Sequence, residues 1–180
     1  MERIKVHDKY FKLFIPNEKI EKSIAEVADK INKDYADCED VPIFVCVLNG
    51  AFMFASSLLK NIDFDCELTF VKYKSYVGTK SSGKLERVFK LSTDVKNRKV
   101  IIVEDIVDTG GTINQICEDL REAGASDVQV ATLFLKPNAY HGNEEIKYNA
   151  MSIGNEFIVG FGLDYDQLGR QYKDIYIIDE

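Results

Sequence analysis

Three nearly unbroken apolar runs, residues 41–48, 99–103 and 128–135, set the narrowest limit on what this chain can fold into. A strand with one face in water alternates apolar and polar residues, whereas a strand covered on both faces reads as a continuous apolar stretch. The first run is followed by Asn49-Gly50 and a helix-like segment over 51–60. The second leads through Thr109-Gly110-Gly111-Thr112 into Ile113, Ile116, Cys117 and Leu120 at helical spacing, closed by Gly124, and the third run comes next. This order predicts an α/β fold: a mostly parallel sheet flanked by helices on both faces, with right-handed crossovers. Ligands of such sheets sit beyond the carboxyl ends of the strands.

The remaining segments fit around that sheet. Asn17 is placed to cap a helix whose apolar residues Ile20, Ile24, Val27 and Ile31 recur every three to four positions, with Glu18 and Glu21 in the first turn. Alternating side chains over 66–76 predict a strand, the Gly/Ser/Lys stretch over 77–84 a mobile hairpin tip or a solvated loop, and 87–91 a short returning strand. Residues 172–178 read as a last strand. With 180 residues, and neither repeats nor long linkers, one domain is expected.

Charge and cysteine usage narrow the function. A formal charge of −7 and a pI near 5.0 disfavour nucleic acid and acidic membrane surfaces as partners, leaving a small molecule as the expected ligand. Cys38, Cys46, Cys66 and Cys117 are widely spaced with no CxxC, and His7 and His141 are the only imidazoles, so reduced core thiols are expected rather than zinc ligands or disulfides. No apolar run reaches membrane-spanning length and the first residues lack a signal-peptide core, which reads as a cytoplasmic chain.

The chemistry concentrates in VIIVEDIVDTGGT, residues 100–112. Thr109 to Thr112 open a helix, whose amino terminus offers free N–H groups and the positive end of the helix dipole to an anion such as a terminal phosphate. Glu104, Asp105 and Asp108 beside it would repel that phosphate unless they serve sugar hydroxyls, a divalent cation or a proton in transfer. Glu104 and Asp105, consecutive at a strand end, are expected to point different ways. A phosphorylated sugar with a metal and a reacting centre satisfies both halves. The stretch is neither a Walker P-loop nor a GxGxxG fingerprint.

Residues 100–112 resemble the phosphoribosyl diphosphate (PRPP) signature of type I phosphoribosyltransferases. Leu48-Asn49-Gly50, Ser75-Tyr76, Leu135-Lys136-Pro137, the run from Phe157 to Tyr165 and then Arg170 follow in that family's order and point to its hypoxanthine branch. The resemblance implies the type I fold, with a core over about 37–150 and a small hood from about 1–16 and 151–180. It also implies Mg2+ as cofactor, PRPP with hypoxanthine or guanine as substrates, and a homodimer or homotetramer.

By the same resemblance, Glu104 and Asp105 hold the ribose hydroxyls and help place magnesium, and Asp108, Thr109, Gly110, Gly111 and Thr112 wrap the 5′-phosphate. Asp108 is the expected catalytic residue, exchanging a proton with the purine imidazole nitrogens. Lys136 donates to a purine O6; with no acceptor for an amino group it argues for a 6-oxopurine over adenine, xanthine staying open. Phe157 is expected to stack on the base and Ile158 to offer backbone groups to its edge, or to fill a buried strand. Asp164 is the implied ligand of a second magnesium and Arg170 a diphosphate contact. Leu48, Asn49 and Gly50 form the diphosphate loop, in which the family often has a non-proline cis peptide. Asn49 stands where many relatives carry Lys or Arg, and Lys72 and Lys74 are placed to supply that charge. Lys74, Ser75 and Tyr76 open the loop that would close over the site, with Tyr76 expected to move most. The rival readings are a noncatalytic PRPP sensor that binds RNA or DNA, which the −7 charge disfavours, and transfer to another base.

Overall fold

The computed structural model describes residues 3–75, 85–89 and 91–179. The amino-terminal elements are β1 (Arg3–Val6), β2 (Lys9–Ile15), α1 (Asn17–Tyr35), β3 (Ile43–Val47), α2 (Phe52–Leu59), β4 (Glu67–Ser75) and β5 (Leu85–Phe89). There follow β6 (Lys99–Val107), α3 (Gly111–Glu122), β7 (Asp127–Leu135), β8 (Tyr148–Ser152), β9 (Ile158–Val159) and β10 (Ile175–Ile178). Six strands form the main sheet in the order β5-β4-β3-β6-β7-β8. The run from β4 to β8 is parallel, and β5 returns antiparallel on β4.

Cover on both faces accounts for the apolar runs. Phe44 and Cys46 of β3 pack with α1 and α2, whereas Ile43, Val45 and Val47 pack with Ile113, Ile116 and Leu120 of α3 on the opposite side. The predicted stripe of α1 is buried at Ile20, Ile24, Val27 and Ile31. Cys46 and Cys117 are buried free thiols, each pushed up to about 12 chiefly by burial, so both stay protonated and inert.

The terminal segments build a second, antiparallel sheet in the order β1-β2-β10-β9. Asp179 ties it together through Arg3 at 2.6 Å and Lys12 at 3.2 Å. Asp174 reaches from this sheet to the start of α1, where its Oδ1 accepts from the Asn17 N–H at 2.7 Å.

Four expectations are corrected here. Asn17 is the first residue of α1 rather than its cap; the cap position is Pro16, and the Asn17 side chain instead donates to the Lys173 carbonyl at 3.0 Å. A carboxylate distant in sequence thus does the capping. The second strand does not stop at Val103 but runs to Val107, because β7 continues to pair with it through Val107 and Leu135. The short returning strand is Leu85–Phe89, two residues earlier than its pattern indicated, and the last strand begins at Ile175 rather than Tyr172. Tyr76 and the stretch 77–84 lie outside the described residues.

The packing of α2 is testable. Leu58 is fully buried, so Leu58→Ala is expected to lose about 2–5 kcal/mol in urea unfolding, against less than about 0.5 kcal/mol for the exposed Lys22→Ala. Equal midpoints for the two variants would contradict the assigned packing.

Candidate active site

The carboxyl end of β6 and the amino terminus of α3 enclose a cavity of about 250 Å³ lined by residues 104–113. Its floor is β6, whose residues from Val100 to Val103 are fully buried and fix the strand on both faces. Its far wall is the TGGT turn. Gly110 adopts a left-handed conformation, φ 92°, and no side chain caps α3 there, so the first-turn amides are left to the cavity. A Cβ on Gly111 would meet nothing within 4 Å, which marks open space where an anion would sit.

Glu104 and Asp105 lie within β6 and are neighbours, contrary to the expected divergence. Glu104 Oε1 accepts from the Asp105 N–H at 3.1 Å, and the two carboxyl groups interact. Glu104 is only 7% exposed, and burial pushes its carboxyl well above the usual range, with the charge of Asp105 adding to the effect. Burial raises Asp105 too; hydrogen bonds from Glu104 and from the Ile106 N–H, at 2.8 Å, and the positive charge of Arg170 oppose it.

The Leu48–Asn49 peptide is cis, as the resemblance implied. Its loop presses directly on the acids: a Cβ added to Gly50 would stand 1.5 Å from Asp105 Oδ2, so only glycine fits. Lys72 Nζ donates to Asn49 Oδ1 at 3.1 Å, bringing a cation to the loop whose own side chain has none. For Lys74 and Ser75 the description covers the backbone of β4 alone.

Asp108 sits past the end of β6, half exposed, where its Oδ2 accepts from Lys136 Nζ at 3.0 Å. Lys136 is 12% exposed and held by its own backbone N–H donating to the Val107 carbonyl. Lys136 and Asp108 are therefore one ion pair beside the TGGT turn, a contact that sequence spacing gave no sign of.

The second sheet supplies the other predicted residues. Phe157 is 44% exposed and meets Tyr165 edge-on at 5.6 Å and Phe11 at 6.2 Å, so it is a held platform and not a core residue. Ile158 is buried in β9. Arg170 donates to the Gly162 carbonyl at 2.8 Å and pairs with Asp164 Oδ1 at 2.8 Å, while Asp164 Oδ2 accepts from the Gln167 N–H. Gly162, at φ 97°, packs over the Gly50 carbonyl, where a Cβ would approach to 2.1 Å. Phe157, Ile158, Asp164 and Arg170 are not among the residues lining the cavity itself.

The donor set fits a hard divalent cation: Glu104 and Asp105 offer carboxylate oxygens whose charge is only weakly compensated, and such ions keep oxygen ligands and water. Among the described residues no three His, Cys, Asp or Glu side chains converge, so Glu104, Asp105 and Asp164 do not form one cage. Asp164 is already engaged by Arg170, and a metal there would have to compete with that pair. Sequence reading also missed Tyr165, which steadies Phe157, and Tyr140, whose ring abuts Gly110. Tyr165 lies inside a recognised run; nothing in the spacing of Tyr140 singles it out. Among the described residues no helix is long and apolar enough to cross a membrane.

Residues 15–166 match the phosphoribosyl transferase domain family. The hypoxanthine-guanine phosphoribosyltransferase of Streptococcus thermophilus is 38% identical over 170 residues, covering 94% of this chain and 93% of that protein. The protein of the same name from Mycobacterium tuberculosis is 36% identical, covering 89% and 81%. The crystal structure of a hypoxanthine phosphoribosyltransferase from Staphylococcus aureus superposes with a TM-score of 0.87 at 33% identity, over 93% of this chain and 91% of that one. Fold, signature turn and relatives agree: this chain belongs to the phosphoribosyl transferase domain family.

Proposed function

We propose that the chain is a purine-salvage enzyme, a hypoxanthine-guanine phosphoribosyltransferase that moves the 5-phosphoribosyl group of PRPP onto the base. The products are IMP or GMP and diphosphate. The observation that carries the reading is the Lys136–Asp108 ion pair at the mouth of the anion turn, 3.0 Å across. A 6-oxopurine is the base that uses both partners: its O6 accepts from the ammonium, and its imidazole edge meets the carboxylate. Adenine would set an amino group against a side chain that can only donate.

In this reading the first-turn amides of α3, with Thr109 and Thr112, hold the 5′-phosphate. Glu104 and Asp105 take the ribose hydroxyls and a Mg2+ ion, which would supply charge to the leaving diphosphate. Phe157 stacks on the purine, and Ile158 lends backbone groups to its edge. Leu48, Asn49 and Gly50, with Lys72 behind Asn49, receive the diphosphate. Arg170 contacts it from the other side, and Asp164 offers a carboxylate to a second cation. Lys74, Ser75 and Tyr76 belong to the closing segment.

The covalent step forms the bond from a purine ring nitrogen to the ribose anomeric carbon and breaks that carbon's bond to diphosphate. Positive charge grows on the sugar as diphosphate departs. Asp108 takes the proton released by the purine, which strengthens the incoming nucleophile. Arrival of O6 draws Lys136 off Asp108, so binding of the correct base also frees the acceptor. A homodimer or homotetramer in the cytoplasm belongs to the same reading and rests on the family resemblance.

Four results test it. With PRPP and magnesium, hypoxanthine and guanine are expected to yield IMP and GMP. Asp108→Asn is expected to lower kcat by about 10²–10⁴ with little change in KM. Absence of turnover with every purine, with PRPP binding kept, would replace the enzyme by a PRPP sensor. Lys136→Met should raise the KM for hypoxanthine about tenfold to a hundredfold, as expected for a hydrogen bond from a charged donor, and leave the PRPP KM nearly unchanged. An unchanged hypoxanthine KM would remove Lys136 from base recognition.

The fourth concerns Glu104, whose folded carboxyl holds its proton above the ordinary range. A group raised in this way favours the fold while protonated, and that contribution is lost as pH rises through its folded value. In EDTA, Glu104→Gln is therefore expected to melt higher than wild type, with the gap widening as pH rises above the ordinary carboxylate range. Turnover should fall in the same variant. A pH-independent difference would show that the Glu104 carboxyl is not raised in the fold.

A further inference from the structure

We propose that Tyr140 is a positioning residue for the phosphate-binding turn, holding Gly110 in the left-handed shape that presents the amides of α3. The inference rests on the reading that residues 108–112 hold the 5′-phosphate, and it adds a side chain that touches no substrate.

The Tyr140 ring lies between two glycines. A Cβ on Gly110 would meet Tyr140 Cε2 at 2.5 Å and the Gly142 backbone at 3.0 Å, and a Cβ on Gly142 would meet Tyr140 Oη at 2.5 Å. Absence of both side chains lets an aromatic edge lie directly against the turn. The hydroxyl then donates to the Glu144 carbonyl at 2.5 Å, which fixes the ring from its far end.

The loop that carries Tyr140 is itself fastened along the whole of α3. The His141 N–H donates to the Thr109 carbonyl at 3.1 Å, and the Asn143 N–H to Asn114 Oδ1 at 3.3 Å, both near the helix amino terminus. At the other end the Glu144 carboxylate takes a bidentate pair from Arg121 at 2.6 and 2.7 Å, in the last turn of the helix. Such a fork fixes direction as well as distance. The loop starts at Lys136, whose carbonyl accepts from the Tyr140 N–H at 3.0 Å. One segment therefore carries the base-facing cation and braces the phosphate-facing turn.

A brace on the turn acts on ligands that place a phosphate there and spares ligands that bind elsewhere. Tyr140→Ala is expected to raise the PRPP KM and the inhibition constant of ribose 5-phosphate together, by about tenfold or more. Inhibition by inorganic diphosphate, which would use the 48–50 loop, should stay within about twofold. Tyr140→Phe keeps the ring and should return both phosphate-dependent constants to within about threefold of wild type. Thr109→Ala serves as the control within the turn itself.

Weakening of ribose 5-phosphate by Thr109→Ala with no effect of Tyr140→Ala would overturn the proposal and leave the turn's role intact. No effect of either variant would overturn both. Equal weakening of ribose 5-phosphate and diphosphate in Tyr140→Ala would show a general structural loss and also overturn it. A loss in Tyr140→Ala that is selective for ribose 5-phosphate and reversed in Tyr140→Phe supports it.

Discussion

Two adjacent carboxylates buried in the middle of a parallel sheet dictate much of what surrounds them. Glu104 and Asp105 follow a fully buried stretch of β6, and desolvation opposes their charge. The neighbouring chain answers this with close contact. Gly50 has no side chain because Asp105 occupies the space one would need, and Gly162 in turn packs on the Gly50 carbonyl. Arg170 contributes the positive charge that partly offsets Asp105 and fastens the Gly162 carbonyl at the same time. A pair of acids at this depth lowers stability, and such a pair makes physical sense where a cation and sugar hydroxyls are to be held.

In the proposed reading, the second sheet and its connections supply the side of the site that faces the base. Its chain termini are joined at Asp179, and Phe157, in a ring cluster with Phe11 and Tyr165, stays partly exposed. The Tyr165 hydroxyl donates to Asp8 Oδ1 at 2.9 Å, which links the platform to the turn between β1 and β2. The amino-terminal hairpin thus takes part in shaping a surface more than 140 residues away in sequence.

Where burial is symmetrical and spacing regular, the amino-acid order was enough to read the fold. The apolar runs of β3, β6 and β7, the stripe on α1 and the TGGT opening of α3 all follow from local pattern, and the family motifs brought the acids and the loops into one scheme. The misreadings share a cause. Asn17 looked like a cap because capping is a local signal, but it is the first helical residue, and its own N–H is satisfied by Asp174 from the far end of the chain. β6 appeared to stop at its first acid because polarity normally ends a buried strand, whereas pairing with β7 carries it four residues further. Strand alternation does not keep the Glu104 and Asp105 carboxyl groups from interacting where both are desolvated. Tyr140 and the Lys136–Asp108 pair are products of tertiary contact between a loop and a helix turn, and no spacing rule encodes them.

The central claim is that a 6-oxopurine inserts between Lys136 and Asp108 while its sugar phosphate fills the turn at Gly110. A crystal structure with IMP bound tests this most directly. The account predicts Lys136 Nζ moved from Asp108 to the purine O6, the 5′-phosphate on the amides of residues 110–113, and Phe157 parallel to the base. An intact Lys136–Asp108 pair with the phosphate bound outside the turn would contradict it.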